Sequence, residues 1–489
     1  MGVLGSKELL SQVVVIYGYN SNDFPWRQID NRSVYHTSGL IISCNEKKYV
    51  ITTRSRLSSC NNIVMYHSYF GEKNPVMRND MHIIFQSIEF NIVILVTNNR
   101  TELDLSKSEL VSGEYDINAQ RISHKIFNNT YIVPIKKSHY FTALMDMDLD
   151  SDTVNYRVNI YDAKFLKAFV YEKTYLPPNY MYKFKLIMNN TSSLYGVCGA
   201  IIFNKKHKPI GMVSKSVSKT LFVLPTRAIV KIITDFVSYI DKPNEYHGLL
   251  TLPINLKCNK KLEAQVNDQI TINTTNDQII LKQTDKVVSV NDKDIIIIKN
   301  EIMVYDIDYK NHIPINIYLR QNLKYGIPMK IVIDRNHKLT EYSVYGTAYN
   351  DIYFPLSNQQ SFLPKYLVPF ININGVIIVE LTHELLDITM LNKIVLNNDI
   401  VNSLFNGELT KAAKYLLIID CLDADVAKKY NLPQIIYNKK QTLKCPSVTV
   451  VNNKLVSSID DINNIISTSN SNNYTLLITA NGVINEIIV

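Results

Sequence analysis

The sequence predicts a mainly β protein in three parts: a long stretch of short strands, then two smaller α+β modules. Three observations carry this. From about Ser11 to Asp241, short apolar or alternating runs are punctuated by polar turns, and helical periodicity enters only at the end. Two later segments, Val287-Val288-Ser289-Val290-Asn291-Asp292-Lys293-Asp294-Ile295 and Val448-Thr449-Val450-Val451-Asn452-Asn453-Lys454-Leu455-Val456, repeat one pattern. Each repeat is followed by a helical pattern and a closing hairpin, the second turning on Asn481-Gly482, a strong type I′ signal.

In chain order, strands are expected at Val13–Tyr17, Gly39–Ser43, Tyr49–Thr53, Ile63–His67, Met81–Phe85, Asn91–Thr97, Tyr131–Ile135, Val154–Ile160, Ala200–Phe203, Ile210–Val213 and Leu221–Leu224. Pro225-Thr226-Arg227-Ala228-Ile229-Val230 then opens an apolar-periodic helix running to about Ile240. Closing hairpins are expected at Met329–Ile333 with Lys338–Val344, and at Tyr474–Thr479 with Val483–Val489. The last helix starts at Ser458, a capping residue followed by Asp460 and Asp461 in the first turn. A linker near Tyr345–Phe354 and the Pro-bearing stretch Pro364–Pro369 separate the modules. The expected domains are 1–242, 243–348 and 349–489.

A chain of 489 residues with 46% hydrophobic side chains buries ordinary cores and is not disordered. Its bias toward Asn, Ile, Lys and Tyr follows AT-rich codons, a pattern that large DNA viruses and some protists share. The net charge of +8 is spread along the chain with no Lys/Arg block, so nucleic acid is not an expected partner. The six cysteines show no C-x-x-C pairing or metal spacing. No metal, no cofactor and a reducing compartment are therefore expected. No apolar run reaches membrane-spanning length and no leader peptide is legible, which points to the cytoplasm or a virus particle. Met1-Gly2-Val3-Leu4-Gly5-Ser6 fits the N-myristoylation pattern at Gly2. A membrane is expected as a partner only if Gly2 carries that lipid.

The most informative run is Gly196-Val197-Cys198-Gly199-Ala200, followed by Ile201-Ile202-Phe203-Asn204 and Pro209-Ile210-Gly211-Met212-Val213-Ser214. It resembles the nucleophile loop of trypsin-fold proteases, in which a Gly-x-Ser-Gly-Gly turn aims two backbone N–H groups at the developing oxyanion. Upstream, Thr37-Ser38-Gly39-Leu40-Ile41-Ile42-Ser43 and Tyr49-Val50-Ile51-Thr52-Thr53-Arg54-Ser55-Arg56-Leu57 resemble the stretch that leads to the general-base histidine of Deg/HtrA-type proteases. Glu89-Phe90-Asn91-Ile92-Val93-Ile94-Leu95-Val96 resembles their Asp-Leu-Ala-hydrophobic-Leu segment. The helix after Pro225 is similar to the one that closes the Deg/HtrA protease domain.

The resemblance implies a trypsin-like double β-barrel with the three triad positions at Ser55, Asn91 and Cys198, and oxyanion donors at Gly196 and Cys198. All three triad residues are changed. Ser55 does not accept a proton at neutral pH, and Asn91 does not stabilise an imidazolium. None of the six histidines of this region sits in a motif that would place it beside Cys198. The expectation is a catalytically inactive protein, a pseudoenzyme acting as an oligomeric scaffold. The alternative is an unconventional endopeptidase with Cys198 as nucleophile.

The repeats resemble the PDZ segment Asp-x-Ile-x-x-Val-Asn-Gly. Asn374-Gly375-Val376-Ile377-Ile378-Val379-Glu380-Leu381-Thr382 resembles the opening strand of the second PDZ of plant-type Deg proteins. In the first module the peptide-carboxylate loop falls on Gly248, Leu249 and Leu250. Phe24-Pro25-Trp26-Arg27-Gln28 is similar to the start of the plant-type branch. Family members trimerise through aromatics near this end, which implies a homotrimer or a multiple of it, held partly by Tyr17, Tyr19, Phe24 and Trp26, besides an unidentified protein or peptide partner. The acids of Asp146-Met147-Asp148-Leu149-Asp150-Ser151-Asp152 lack the glycine and distal glutamate of a calcium loop, Arg157 standing in the glutamate's place. An acidic surface loop is expected there.

Overall fold

The computed structural model describes residues 13–20, 33–54, 57, 60–67, 77–87, 90–97, 134–148, 155–170, 181–187, 196–241, 250–348, 370–381, 394–396, 415–434, 443–469, 473–480 and 483–489, apart from one or two positions at a time within those segments. The chain divides into two compact units, residues 1–19 with 34–349, and residues 20–33 with 350–489.

The first unit opens with a closed barrel of β1 (Val13–Asn20), β2 (Ser33–Cys44), β3 (Lys47–Thr53), β4 (Asn62–His67), β5 (Met77–Ser87) and β6 (Ile92–Thr97), in the order β1-β2-β3-β6-β5-β4. The period-2 pattern builds it: Val14/Ile16, Ile63/Met65, Met81/Ile83 and Val93/Leu95 meet in one buried cluster. A second closed barrel follows, from β7 (Tyr140–Asp148), β8 (Asn155–Val170), β9 (Met181–Ile187), β10 (Ile201–Asn204), β11 (Pro209–Val217) and β12 (Thr220–Pro225), ordered β10-β11-β12-β9-β8-β7. Phe165, Tyr182, Phe184, Leu186, Leu221 and Val223 fill its interior. Two closed six-stranded barrels in tandem are the trypsin-like architecture, as expected for the fold class.

Helix α1 (Thr226–Asp241) leaves the second barrel with the buried Thr226 hydroxyl donating to the Pro209 carbonyl at 3.1 Å. Ala228, Ile229, Ile232, Ile233 and Phe236 form its buried stripe at the i, i+3, i+4 spacing. Phe236 meets Tyr49 and Phe85 of the first barrel edge-on, with ring centroids 4.9 and 5.5 Å apart.

The unit continues without a break in its core. The following module comprises β13 (Leu250–Thr251), β14 (Leu256–Cys258), β15 (Ala264–Val266), the hairpin β16 (Ile270–Asn273) and β17 (Gln278–Leu281), β18 (Lys286–Val290), β19 (Lys293–Ile298), β20 (Glu301–Asp306) and β21 (Asn311–Pro314). Helix α2 (Ile315–Asn322), the hairpin β22 (Met329–Arg335) and β23 (Lys338–Val344), and β24 (Thr347–Ala348) complete it. One buried cluster runs from Leu144 and Phe184 of the second barrel through Leu250, Val304 and Ile317 to Val344. Arg227 of α1 pins the junction. It donates to both carboxylate oxygens of Asp306 at 2.8 Å and to Asn322 Oδ1 at 2.8 Å, and lies over the Tyr309 ring.

In the second unit, β25 (Phe370–Ile373), β26 (Val376–Glu380), β28 (Leu416–Cys421), β30 (Ser447–Val451), β32 (Thr475–Ala480) and β33 (Val483–Ile488) form one antiparallel sheet in that order, with β31 (Lys454–Leu455) on β30. A parallel pair, β27 (Ile394–Leu396) and β29 (Leu443–Cys445), stands apart. The sheet carries α3 (Ala424–Tyr430) and α4 (Ile459–Thr468), the latter opened by a capping box of Ser458 and Asp461. Both sequence repeats turn on paired left-handed residues: Asn291 and Asp292 at φ 48° and 58°, Asn452 and Asn453 at 47° and 62°.

Of the strand expected at Tyr131–Ile135, only Pro134 is among the described residues. One expectation is corrected. Asp146, Met147 and Asp148 belong to β7 rather than to a loop, because the β7–β8 ribbon extends far enough to pair Asp146 with Arg157 and Asp148 with Asn155. Asn481-Gly482 lies outside the described residues.

Candidate functional site

The turn around Cys198 is dictated first by its glycines. Gly196 and Gly199 have φ of 75° and 82°, a region that costs other L-residues about 1 kcal/mol or more. A β-carbon on Gly199 would strike the Ser38 carbonyl and the Thr52 hydroxyl, and one on Gly196 would strike the His36 ring. Both conformation and space therefore demand glycine at 196 and at 199.

Strands from both barrels then hold the turn. Thr37 of β2 bridges Gly196 in parallel. Ser38 N and Thr37 Oγ1 both donate to the Cys198 carbonyl, at 2.8 and 2.5 Å, and Ser38 Oγ donates to the Gly196 carbonyl at 2.7 Å. On the β11 side, Gly199 N donates to the Val213 carbonyl and Val213 N to the Ala200 carbonyl, each at 2.8 Å. The backbone that bears the N–H groups of Gly196 and Cys198 is thus anchored on both flanks. Cys198 itself is half-buried, its Sγ 4.0 Å from Ser216 Oγ.

Asn91 reaches the same strand. It sits in a left-handed turn at φ 55°, where Asn is tolerated, immediately before β6. Its side-chain Nδ2 donates to Ser214 Oγ at 3.2 Å and to the Ser214 carbonyl at 3.3 Å. The structure therefore brings Asn91 and Cys198 onto neighbouring positions of β11. Ser55 lies outside the described residues, but Arg54 before it donates its backbone N–H to the Asn91 carbonyl at 2.9 Å. The Arg54 side chain is buried, its Nε donating to Gln86 Oε1 at 3.3 Å.

Sequence reasoning missed His36. Its ring lies against Gly196, two residues from the thiol, and stacks on Tyr17 at 5.4 Å between centroids. No spacing rule reveals this, because the neighbourhood is created by the parallel bridge between distant residues Thr37 and Gly196. Tyr17 is buried within its own chain against His36 and Tyr66, while Tyr19 is half-buried beside the same cluster. Phe24, Trp26 and Gly2 lie outside the described residues.

In the module after the barrels, Gly248 and Leu249 also lie outside the described residues. Leu250 is buried, and β13 pairs antiparallel with β24, Leu250 opposite Ala348. Gly346 fits between Leu250 and Leu323, where a β-carbon would approach Leu250 Cβ to 3.0 Å. Among the described residues no group of three or more His, Cys, Asp or Glu could hold a metal, and no helix is long and apolar enough to cross a membrane.

No family model matches the chain. It is 31% identical over 476 residues to "Uncharacterized protein R367" of Acanthamoeba polyphaga mimivirus, covering 96% of each chain. Among solved structures it is similar to a serine endoprotease from Yersinia pestis, at 10% identity and a TM-score of 0.39, covering 69% of this chain and 95% of that one. It is also similar to the HtrA-type protease AlgW with a decapeptide, at 11% identity and a TM-score of 0.40, covering 69% and 96%.

The expectation that this chain is not an enzyme is corrected. The solved structures it is similar to are proteases, and the tandem barrels share the fold alone with them. The sequence held no motif that places His36, on β2, against the Gly196 end of the turn.

Proposed function

We propose, from the premise that this chain belongs to the same family as the uncharacterized mimivirus protein R367, that it works by holding extended polypeptide in the cleft between its two barrels. The observation that supports this most is the clamped turn. Thr37, Ser38 and Val213 fix the carbonyls around Cys198 from both barrels, so the N–H groups of Gly196 and Cys198 are ready to meet a peptide carbonyl without reorganisation.

On this reading the protein is of the Deg/HtrA type, in the plant-type branch, with a triad altered at Ser55, Asn91 and Cys198. Its parts are a trypsin-like domain over 1–242 and PDZ-like modules over 243–348 and 349–489. The copies form a homotrimer or a multiple of it, with Phe24 and Trp26 as anchors. The mimivirus relative favours a large DNA virus as the setting, with the protein as a scaffold in the particle. Fluorescence anisotropy with labelled unfolded casein tests the binding role: the wild type binds, and Cys198→Trp, which fills the cleft, does not. Equal binding by both contradicts it.

One observation favours a second reading, in which Cys198 cleaves what the cleft holds: the His36 imidazole rests on Gly196, two residues before Cys198 in the same turn. Release of casein fragments by the wild type that vanishes in Cys198→Ala identifies this activity.

A further inference from the structure

The second barrel gathers lysines that lie far apart in sequence. On β8, Lys164 and Lys167 stand directly opposite Lys185 and Lys183 of β9. Across the next strand, Lys183 is opposite Phe222 of β12, which is opposite Lys215 of β11. Lys219 lies in the β11–β12 turn and its carbonyl accepts from Leu186 N. Strands are spaced by about 4.8 Å, so these residues fall within a patch about 15 Å wide. Lys164, Lys167, Lys185 and Lys215 are exposed; Lys183 is half-buried, its ammonium 5.8 Å from the Phe222 ring centroid.

Like charges directly opposite on neighbouring strands destabilise a sheet. Among the described residues, Lys164, Lys167, Lys183 and Lys185 form no ion pair, and Asp162 is the one carboxylate on this face of β8, β9, β11 and β12. The alternation also places three aliphatics on that face: Ile160, Ile187 and Val217, each more than half exposed at 55%, 53% and 52%. Ile187 continues the Lys183, Lys185 row, and Val217 continues from Lys215.

We infer that this face docks onto an anionic lipid bilayer. Clustered lysines lower their mutual repulsion by approaching acidic headgroups, and bordering aliphatics enter the headgroup boundary. Duplex or single-stranded nucleic acid fits less well. Among the described residues the patch holds no Arg for bidentate phosphate contacts and no Asn or Gln to meet base edges, and a phosphate backbone offers nothing to Ile160, Ile187 and Val217.

Vesicle flotation of the full chain tests the inference, with phosphatidylcholine vesicles with and without phosphatidylserine. The wild type floats only with phosphatidylserine present, and less as salt rises. Replacing Lys164, Lys167, Lys183 and Lys185 together by Gln lowers the partition coefficient roughly fivefold per lysine, several hundredfold in all. Ile187→Ser with Val217→Ser weakens partition while leaving its salt dependence unchanged. Removing like-charged pairs does not lower the melting temperature, which keeps the loss of binding separate from misfolding. If the fourfold variant precipitates, Lys185→Glu, which gives Lys164 an attractive partner, reads the same effect. Equal flotation with neutral vesicles, or an unaltered fourfold variant, overturns the proposal. Tight binding of labelled DNA without vesicle flotation overturns it in favour of nucleic acid.

Discussion

Asn91 donates its side-chain amide to Ser214 twice, to the hydroxyl at 3.2 Å and to the backbone carbonyl at 3.3 Å, and so ties the first barrel to β11 of the second. A carboxylate in this place would accept from the hydroxyl but would face the carbonyl oxygen. The amide suits what the structure asks of it, which is to join two barrels.

Substitution of Asn91 separates its two roles. Asn91→Gly keeps the left-handed backbone and loses only the hydrogen bonds, for about 1–2 kcal/mol. Asn91→Ala loses the bonds and meets backbone strain at φ 55° as well, adding about 1 kcal/mol. Urea unfolding of the two variants measures the difference, and equal losses would show that the turn is not strained.

Asp285 and Arg335 set an acid-sensitive contact in the first unit. Asp285 is fully buried. Burial alone would raise its carboxyl, but hydrogen bonds from Arg335 and from the Lys282 N–H outweigh it and hold it below the usual carboxylate range. A folded-state value below the unfolded one means stability that is present above the unfolded value, about pH 4, and lost as pH falls through the folded one. Arg335 is 35% exposed, so water screens the pair, and Arg335→Gln costs about 2–3 kcal/mol at neutral pH. The variant's deficit narrows on acidification, because its stranded carboxylate then gains a proton. A deficit independent of pH would count against the pairing.

Arg227 holds the barrels and the following module in one unit. Its partner Asp306 is 1% exposed, so Arg227→Ala strands a buried carboxylate and costs about 3–5 kcal/mol. Calorimetry is expected to show the single transition of the first unit splitting in two. A uniform downward shift of one transition would mean that the shared apolar core alone maintains cooperativity.

The barrels were legible because period-2 runs such as Val14/Ile16 and Val93/Leu95 are local signals that the fold uses directly. The Asn-Asp and Asn-Asn turns of the repeats were legible for the same reason, since left-handed φ favours those residues. The Cys198 turn could be read from Gly196 and Gly199, whose spacing reflects two backbone constraints. His36 could not be read, because its contact with Gly196 exists only after β2 and the turn come together. Nor could the lysine face, since Lys164 meets Lys185, and Lys183 lies across Phe222 from Lys215, only through the strand order β8-β9-β12-β11. The ribbon at Asp146 was misread because acidic alternation looks alike in a loop and on a strand.

The most direct test of the cleft as the polypeptide-binding site is the rate at which Cys198 is alkylated, read by mass spectrometry with and without saturating unfolded casein. Cys258, likewise half-exposed but in the module after the barrels, is the internal control. The account predicts that casein slows alkylation of Cys198 at least about tenfold, as expected when bound chain covers a site nine-tenths of the time, and leaves Cys258 unchanged. Equal rates at Cys198 with and without casein, under conditions where casein is bound, would contradict it.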